Sequence, residues 1–102
     1  MSTHKNYESI FIIDPAIDDI KEAEVFAGVK EAIIKNGGKP VNEENWGKKR
    51  LAFTIERKPR KFTEGVYHML RFEVDPEKTR DLNRAYRLNE SIVRHMILKK
   101  EA

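Results

Sequence analysis

Among its 102 residues this chain has no cysteine. That removes disulfides, thiolate zinc sites and cysteine nucleophiles at once. No apolar run approaches the ~18–20 residues of a membrane-spanning helix, and the polar residues 1–6 lack the layout of a secretory leader. A soluble, cytoplasmic domain with no membrane partner is the expectation. A glycine-rich phosphate loop and an activated-serine pattern are also missing. His4, His68 and His95 lie far apart, and none stands at metal-ligand spacing from another histidine or a carboxylate. The acidic pairs Asp18–Asp19 and Glu43–Glu44 are accounted for by a helix start and a strand entry. No catalytic residue, metal ligand, cofactor or small-molecule substrate is therefore expected, and the chain does not read as an enzyme.

Charge is what the sequence has in quantity. Charged residues make up 36% of it, with a net charge of +3 and a pI near 9.2. Such a mild excess of cations is compatible with a nucleic-acid partner without requiring one. The length allows one domain, residues 1–102, with a single two-layer core.

Residues 46–55 are the stretch that organises the rest, and from 50 to 55 they alternate. Leu51, Phe53 and Ile55 alternate with Arg50, Ala52 and Thr54, the period of a half-buried strand. Gly47 and the cations Lys48, Lys49 and Arg50 stand at its entrance, where a backbone can approach a phosphate chain closely. Before it, residues 7–13 carry the unbroken run Ile10-Phe11-Ile12-Ile13, as in a central strand, and Asp14-Pro15 stops it. Residues 16–36 change period: Ile17, Ile20, Ala23, Phe26, Val29 and Ile33 mark the apolar stripe of a helix, ended by Gly37-Gly38. A basic turn around Pro59 follows residues 50–55, and then a strand over 65–74. Asp75-Pro76 opens a second helix, with Thr79, Leu82, Ala85 and Tyr86 as its stripe. A last strand spans 91–99. This order predicts an α+β, ferredoxin-like βαββαβ sandwich: a four-stranded antiparallel sheet with two helices on one face.

Two helices cover one face only, so the other is where function is sought. With Phe11, Ile13, Leu51, Phe53, Ile55, Leu70 and Phe72 taken as helix-facing, the open face carries Ile10, Ile12, Ala52, Tyr67, Met69, Ile92, Arg94, Met96 and Leu98. This is too apolar to be left in water and suits a protein partner, with Ile10, Ile12, Tyr67, Met69 and Met96 as the expected contacts. One aromatic on that face is too few for base stacking in the manner of RNA-recognition modules, so any RNA contact should be directed at phosphates. Lys48, Lys49, Arg50, Arg87 and Arg94 are the candidate RNA-binding residues, Arg50 foremost because it is expected on the open face beside a glycine. Arg57, Lys58, Arg60 and Lys61 are denser but read as a solvated turn. Trp46 has a stacking role or an edge-covering role open to it.

The run Lys49-Arg50-Leu51-Ala52-Phe53 with Gly47 and Ile55 resembles the signature of the bacterial small-subunit ribosomal protein six family. Tyr7-Glu8 to Asp14-Pro15, Glu64-Gly65-Val66-Tyr67, Tyr86-Arg87-Leu88-Asn89-Glu90 and Arg94-His95-Met96 extend the resemblance over nearly the whole chain. Phe53 stands where the family usually has tyrosine, and Thr54 where it often has proline. The resemblance implies a structural component of the small ribosomal subunit in the cytoplasm. It further implies binding to central-domain small-subunit ribosomal RNA together with ribosomal protein eighteen, as a heterodimer. The alternative left by the residues alone is a homodimeric ferredoxin-like regulatory or binding module without RNA.

Overall fold

In the computed structural model, residues 4–100 are described; the outermost parts of the polar start and of the short C-terminal end, residues 1–3 and 101–102, lie outside them. The elements are β1 (Lys5–Ile13), α1 (Asp19–Lys35), β2 (Lys39–Arg57), β3 (Arg60–Val74), a 3-10 turn (Pro76–Lys78), α2 (Thr79–Leu88) and β4 (Ile92–Lys100). The strands form one antiparallel sheet in the order β2-β3-β1-β4, with β1 and β3 central. This is the ferredoxin-like α+β sandwich that the element order predicts.

Alternation along β1 explains the main core. Tyr7, Phe11 and Ile13 point to the helices and are buried with Leu70, Phe72 and Val74 of β3. From α1 come Val25, Val29 and Ile33, and from α2 Leu82 and Tyr86. Phe11 and Tyr86 meet edge to face at 4.9 Å, and Tyr7 stacks on Phe72 at 5.9 Å, geometries that add to burial alone. Burial pushes the Tyr86 phenol up to about 12, with Ser9 opposing.

Local chemistry sets the helix ends. Asp18 accepts from the Lys21 N–H at 2.7 Å, a standard N-cap, and Gly37 takes φ +78° just beyond the last turn, where a side chain would be strained. The apolar stripe of α1 is rotated from the expected one. Ile17 precedes the helix, and Ile20 is 74% exposed, as is Ala23 in kind. Val25, Val29 and Ile33, at four-residue steps, set the buried line instead. Asp75 caps as expected, but through the 3-10 turn: it accepts from the Glu77 N–H at 3.0 Å and Pro76 occupies the first position.

The largest departure lies in residues 50–55. Arg50 pairs with Glu64 and Ile55 with Phe62, so residues 51–54 of β2 face a single residue of β3. Alternation fails across such a bulge. Leu51 and Ile55 therefore do not join the helix-side core. They pack with Phe62, Val93 and Ile12 in a second, smaller cluster, while Phe53 is 67% exposed. Ala52 sits in the same bulge, outside the paired lattice that defines the open face. A second irregularity falls in β4, where Ile13 pairs with Ile92 but Ile12 pairs with Arg94. Val93 is the extra residue, and it turns Ile92 into the helix-side core rather than onto the open face.

Candidate functional site

The pairing register lays out the open face as rows running across all four strands. The middle row is Glu44, Met69, Ile10 and Met96. On one side of it stand Asn42, Arg71, Glu8 and Leu98; on the other, Gly47, Tyr67, Ile12 and Arg94. Paired residues share a face, and His68 and Leu70 face α1 or the core, so these rows face away from the helices.

The apolar side chains expected for a partner are thereby brought together, with unequal access. Met96 is 50% exposed and Leu98 is exposed too, while Ile10, Ile12 and Tyr67 are half-buried. Met69 is only 1% exposed. It supports the patch from beneath rather than offering a surface to touch. Gly65 explains how Ile12 lies close: a Cβ there would overlap Ile12 Cγ2. At the far end Glu8, buried on this face, is neutralised by Lys100 at 2.8 Å.

The cations divide differently from their order in the sequence. Lys49 pairs with Gly65 and shares its open face, whereas Lys48 pairs with Val66 and Arg50 with Glu64, on the opposite face. Arg50 is thus not the open-face cation; Lys49 is. The shift arises at the bulge of residues 51–54, which breaks the alternation between Arg50 and Ile55; a separate extra residue, Trp46, stands between Asn45 and Gly47, with Gly47 at φ +83° and its N–H donating to Asn45 Oδ1 at 2.8 Å. Trp46, on the edge strand, donates its indole N–H to Glu44 Oε1 at 3.1 Å and remains partly exposed.

At the start of β4 the chain brings together residues far apart in sequence. Arg57, Arg87 and Arg94 line one groove of about 260 Å³ with Ile92, Val93 and His95. Arg57 donates to the Ile92 carbonyl at 2.6 Å. An adjoining depression of about 330 Å³ shares Arg57 and adds Lys58, Pro59, Arg60, Phe62 and Glu90. Arg60 reaches from the hairpin to the end of β1, where its two Nη atoms hold Asp14 at 2.5 and 3.0 Å. Asp14 also accepts from the Ala16 N–H, and the Arg60 hydrogen bond keeps its carboxyl below the ordinary carboxylate range. Arg57 is the participant that sequence reasoning left in a solvated turn. Only the bulge at Val93 and the fold of the hairpin disclose it, and neither has a sequence signal of its own.

The histidines play supporting roles. His68 is buried against Phe26 and hydrogen-bonded to Glu22 at 2.5 Å. His95 meets Asn83 at 3.0 Å, and burial, followed by the charge of Arg87, lowers its pKa. Among the described residues, no three His, Cys, Asp or Glu side chains are grouped to hold a metal ion, and no helix is long and apolar enough to cross a membrane.

Comparison with known proteins places this geometry. Residues 6–99 match the family described as Ribosomal protein S6. The chain is 35% identical over 100 residues to the small ribosomal subunit protein bS6 of Clostridium botulinum strain Loch Maree, covering 95% of this chain and 99% of that one. It is 33% identical over 97 residues to that of Clostridium novyi, covering 95% and 98%. The crystal structure of 30S ribosomal protein S6 from Thermotoga maritima superposes with a TM-score of 0.85 at 28% identity, covering 95% of this chain and 88% of that one. A matched family across nearly the whole chain, relatives above 30% identity and a closely superposing solved structure agree: this chain belongs to the ribosomal protein S6 family of the small ribosomal subunit.

Proposed function

We propose that this protein is a structural component of the small ribosomal subunit that binds central-domain ribosomal RNA together with ribosomal protein eighteen. The observation that carries the proposal is the open face itself. An apolar row with an exposed Met96 passes directly into a row ending in Arg94. A protein partner covering Ile10, Ile12, Tyr67 and Met96, with Met69 as their support, would then sit beside the cations. RNA held by Arg87, Arg94, Lys48, Lys49 and Arg50 would touch both proteins, which makes assembly cooperative. Structural scaffolding of this kind asks nothing of catalysis.

The test replaces Ile10 and Met96 by aspartate in one chain. The expected result is loss of the heterodimer with ribosomal protein eighteen while the monomer stays folded by circular dichroism. The change at exposed Met96 costs on the order of 1 kcal/mol of stability, and that at half-buried Ile10 costs more, because a carboxylate is partly desolvated there. Pairing at wild-type strength would overturn the use of this face. Self-association of the wild type through the same face, with no RNA dependence, would favour the homodimeric module instead.

A further inference from the structure

Three arginines from three separate elements converge at the start of β4 with no counter-charge. Arg57 comes from the end of β2, Arg87 from the last turn of α2 and Arg94 from β4 itself. All three are exposed, and among the described residues none has a carboxylate within ion-pair distance. The groove lining contains no acid. Like charges brought to one groove without a counter-ion repel, and an anionic occupant would relieve that repulsion.

The neighbouring cations differ in kind. Arg60 is committed to Asp14 and stacks over Phe62 at 4.5 Å, and Glu90 lies in its depression. Lys48, Lys49 and Arg50 alternate between faces, with Glu64 opposite Arg50, so they do not converge on one point. The triad also rests on firm ground. Val93 and Ile55 beneath it are buried in the second cluster, and the Arg57–Ile92 hydrogen bond ties the hairpin to β4. The extra residue Val93 is what aims Arg94 and Ile92 in their different directions.

We infer that Arg57, Arg87 and Arg94 form a clamp for a single backbone phosphate of the RNA. Guanidinium forks suit phosphate oxygens in a way that ammonium groups do not, and three of them around one groove provide more donors than one anion needs. The groove lies at the start of β4, with Arg87 of α2 and the open-face Arg94 both in its lining. A phosphate bound there lies next to the row that carries Tyr67 and Ile12. The clamp rests on the RNA-binding reading above and adds to it a residue, Arg57, and a mode, one phosphate shared by three arginines.

The experiment measures binding of the full chain, with ribosomal protein eighteen, to a central-domain RNA fragment across a salt series. The variants are R57Q, R87Q, R94Q, the triple variant and the control pair K48Q/K49Q. Each single arginine change is expected to weaken RNA binding by about 10-fold or more, as for a lost charge-assisted hydrogen bond. The triple variant is expected to lose the salt slope of about one phosphate, ~0.7–0.9 in log K per log salt, with fold-losses that do not multiply. Because R57Q also removes the hydrogen bond to Ile92, its unfolding midpoint is measured alongside; R87Q, at an exposed position with no such bond, tests the clamp free of that effect. A slope loss near three phosphates would overturn the shared clamp. So would wild-type RNA affinity in all three single variants when K48Q/K49Q weakens it, which leaves the RNA-binding reading standing. Weakened binding to ribosomal protein eighteen without RNA would show an acidic protein group in the groove and overturn the phosphate. No ternary complex with the wild type would overturn the reading on which the clamp rests.

Discussion

The middle of the sheet and the far end of the β2–β3 hairpin are built from the same kinds of residue and obey different rules. In the middle, β1 and β3 pair without a break from Lys5–Val74 to Ile13–Val66, and each apolar residue's face follows from parity. At the far end β2 bulges by several residues, and the helix-side core gives way to a cluster of Ile55, Phe62 and Val93. A strand covered by helices gains by strict alternation, since one slip would expose its whole apolar set. A hairpin end with no helix over it is free to bulge, and there it gathers cations and leaves Phe53 in solvent. The main buried core is concentrated in the first region and exposed cations in the second.

Substitutions at the two regions separate them by size of effect. Phe11→Ala, in the middle, removes a fully buried ring that packs on Tyr86. It is expected to cost about 3–5 kcal/mol, read from denaturant unfolding, and a small loss there would deny that the middle holds the fold. Between the regions, the Asp14–Arg60 pair fastens the hairpin to the end of β1. Asp14 is held below its ordinary value, chiefly by the Arg60 hydrogen bond. A depressed carboxylate contributes stability that is present above the unfolded value of about 4 and is lost as pH falls through the folded value. The gap in unfolding midpoint between wild type and Asp14→Asn should therefore be constant near neutrality and narrow below about pH 4. A gap independent of pH would remove the ion pair from the account. At the far end, Phe53→Ala should change stability by no more than about 0.5 kcal/mol. A loss as large as that of Phe11→Ala would erase the distinction, because an exposed ring has little burial to lose.

Much of the fold was legible in the residues because local chemistry and periodicity agreed. Asp75 read as a cap and is one, Asp18 read as part of a helix start and caps it, the strand of Ile10-Phe11-Ile12-Ile13 read as central and is, and Leu82 and Tyr86 read as the buried stripe of α2. The misplacements share one cause. Phe53, Leu51, Ile55, Arg50 and Ile92 each lie in or beside a bulge of an edge strand. Bulges change parity without changing composition, so alternation counted from the sequence carries on as though they were not there. The exposed side of Ile20 arose otherwise, from a helix that starts at Asp19 and takes its register from Val25, Val29 and Ile33.

By itself, the sequence determined the element order, the sandwich they form, the lack of thiol chemistry and the family signature, because these rest on near neighbours and on composition. Only the tertiary structure decided that Met69 lies beneath the open face and that Lys49 rather than Arg50 belongs to it. It alone placed Arg57 beside Arg87 and Arg94. Those outcomes depend on register between strands and on the path of one hairpin, which bring together residues far apart in the chain.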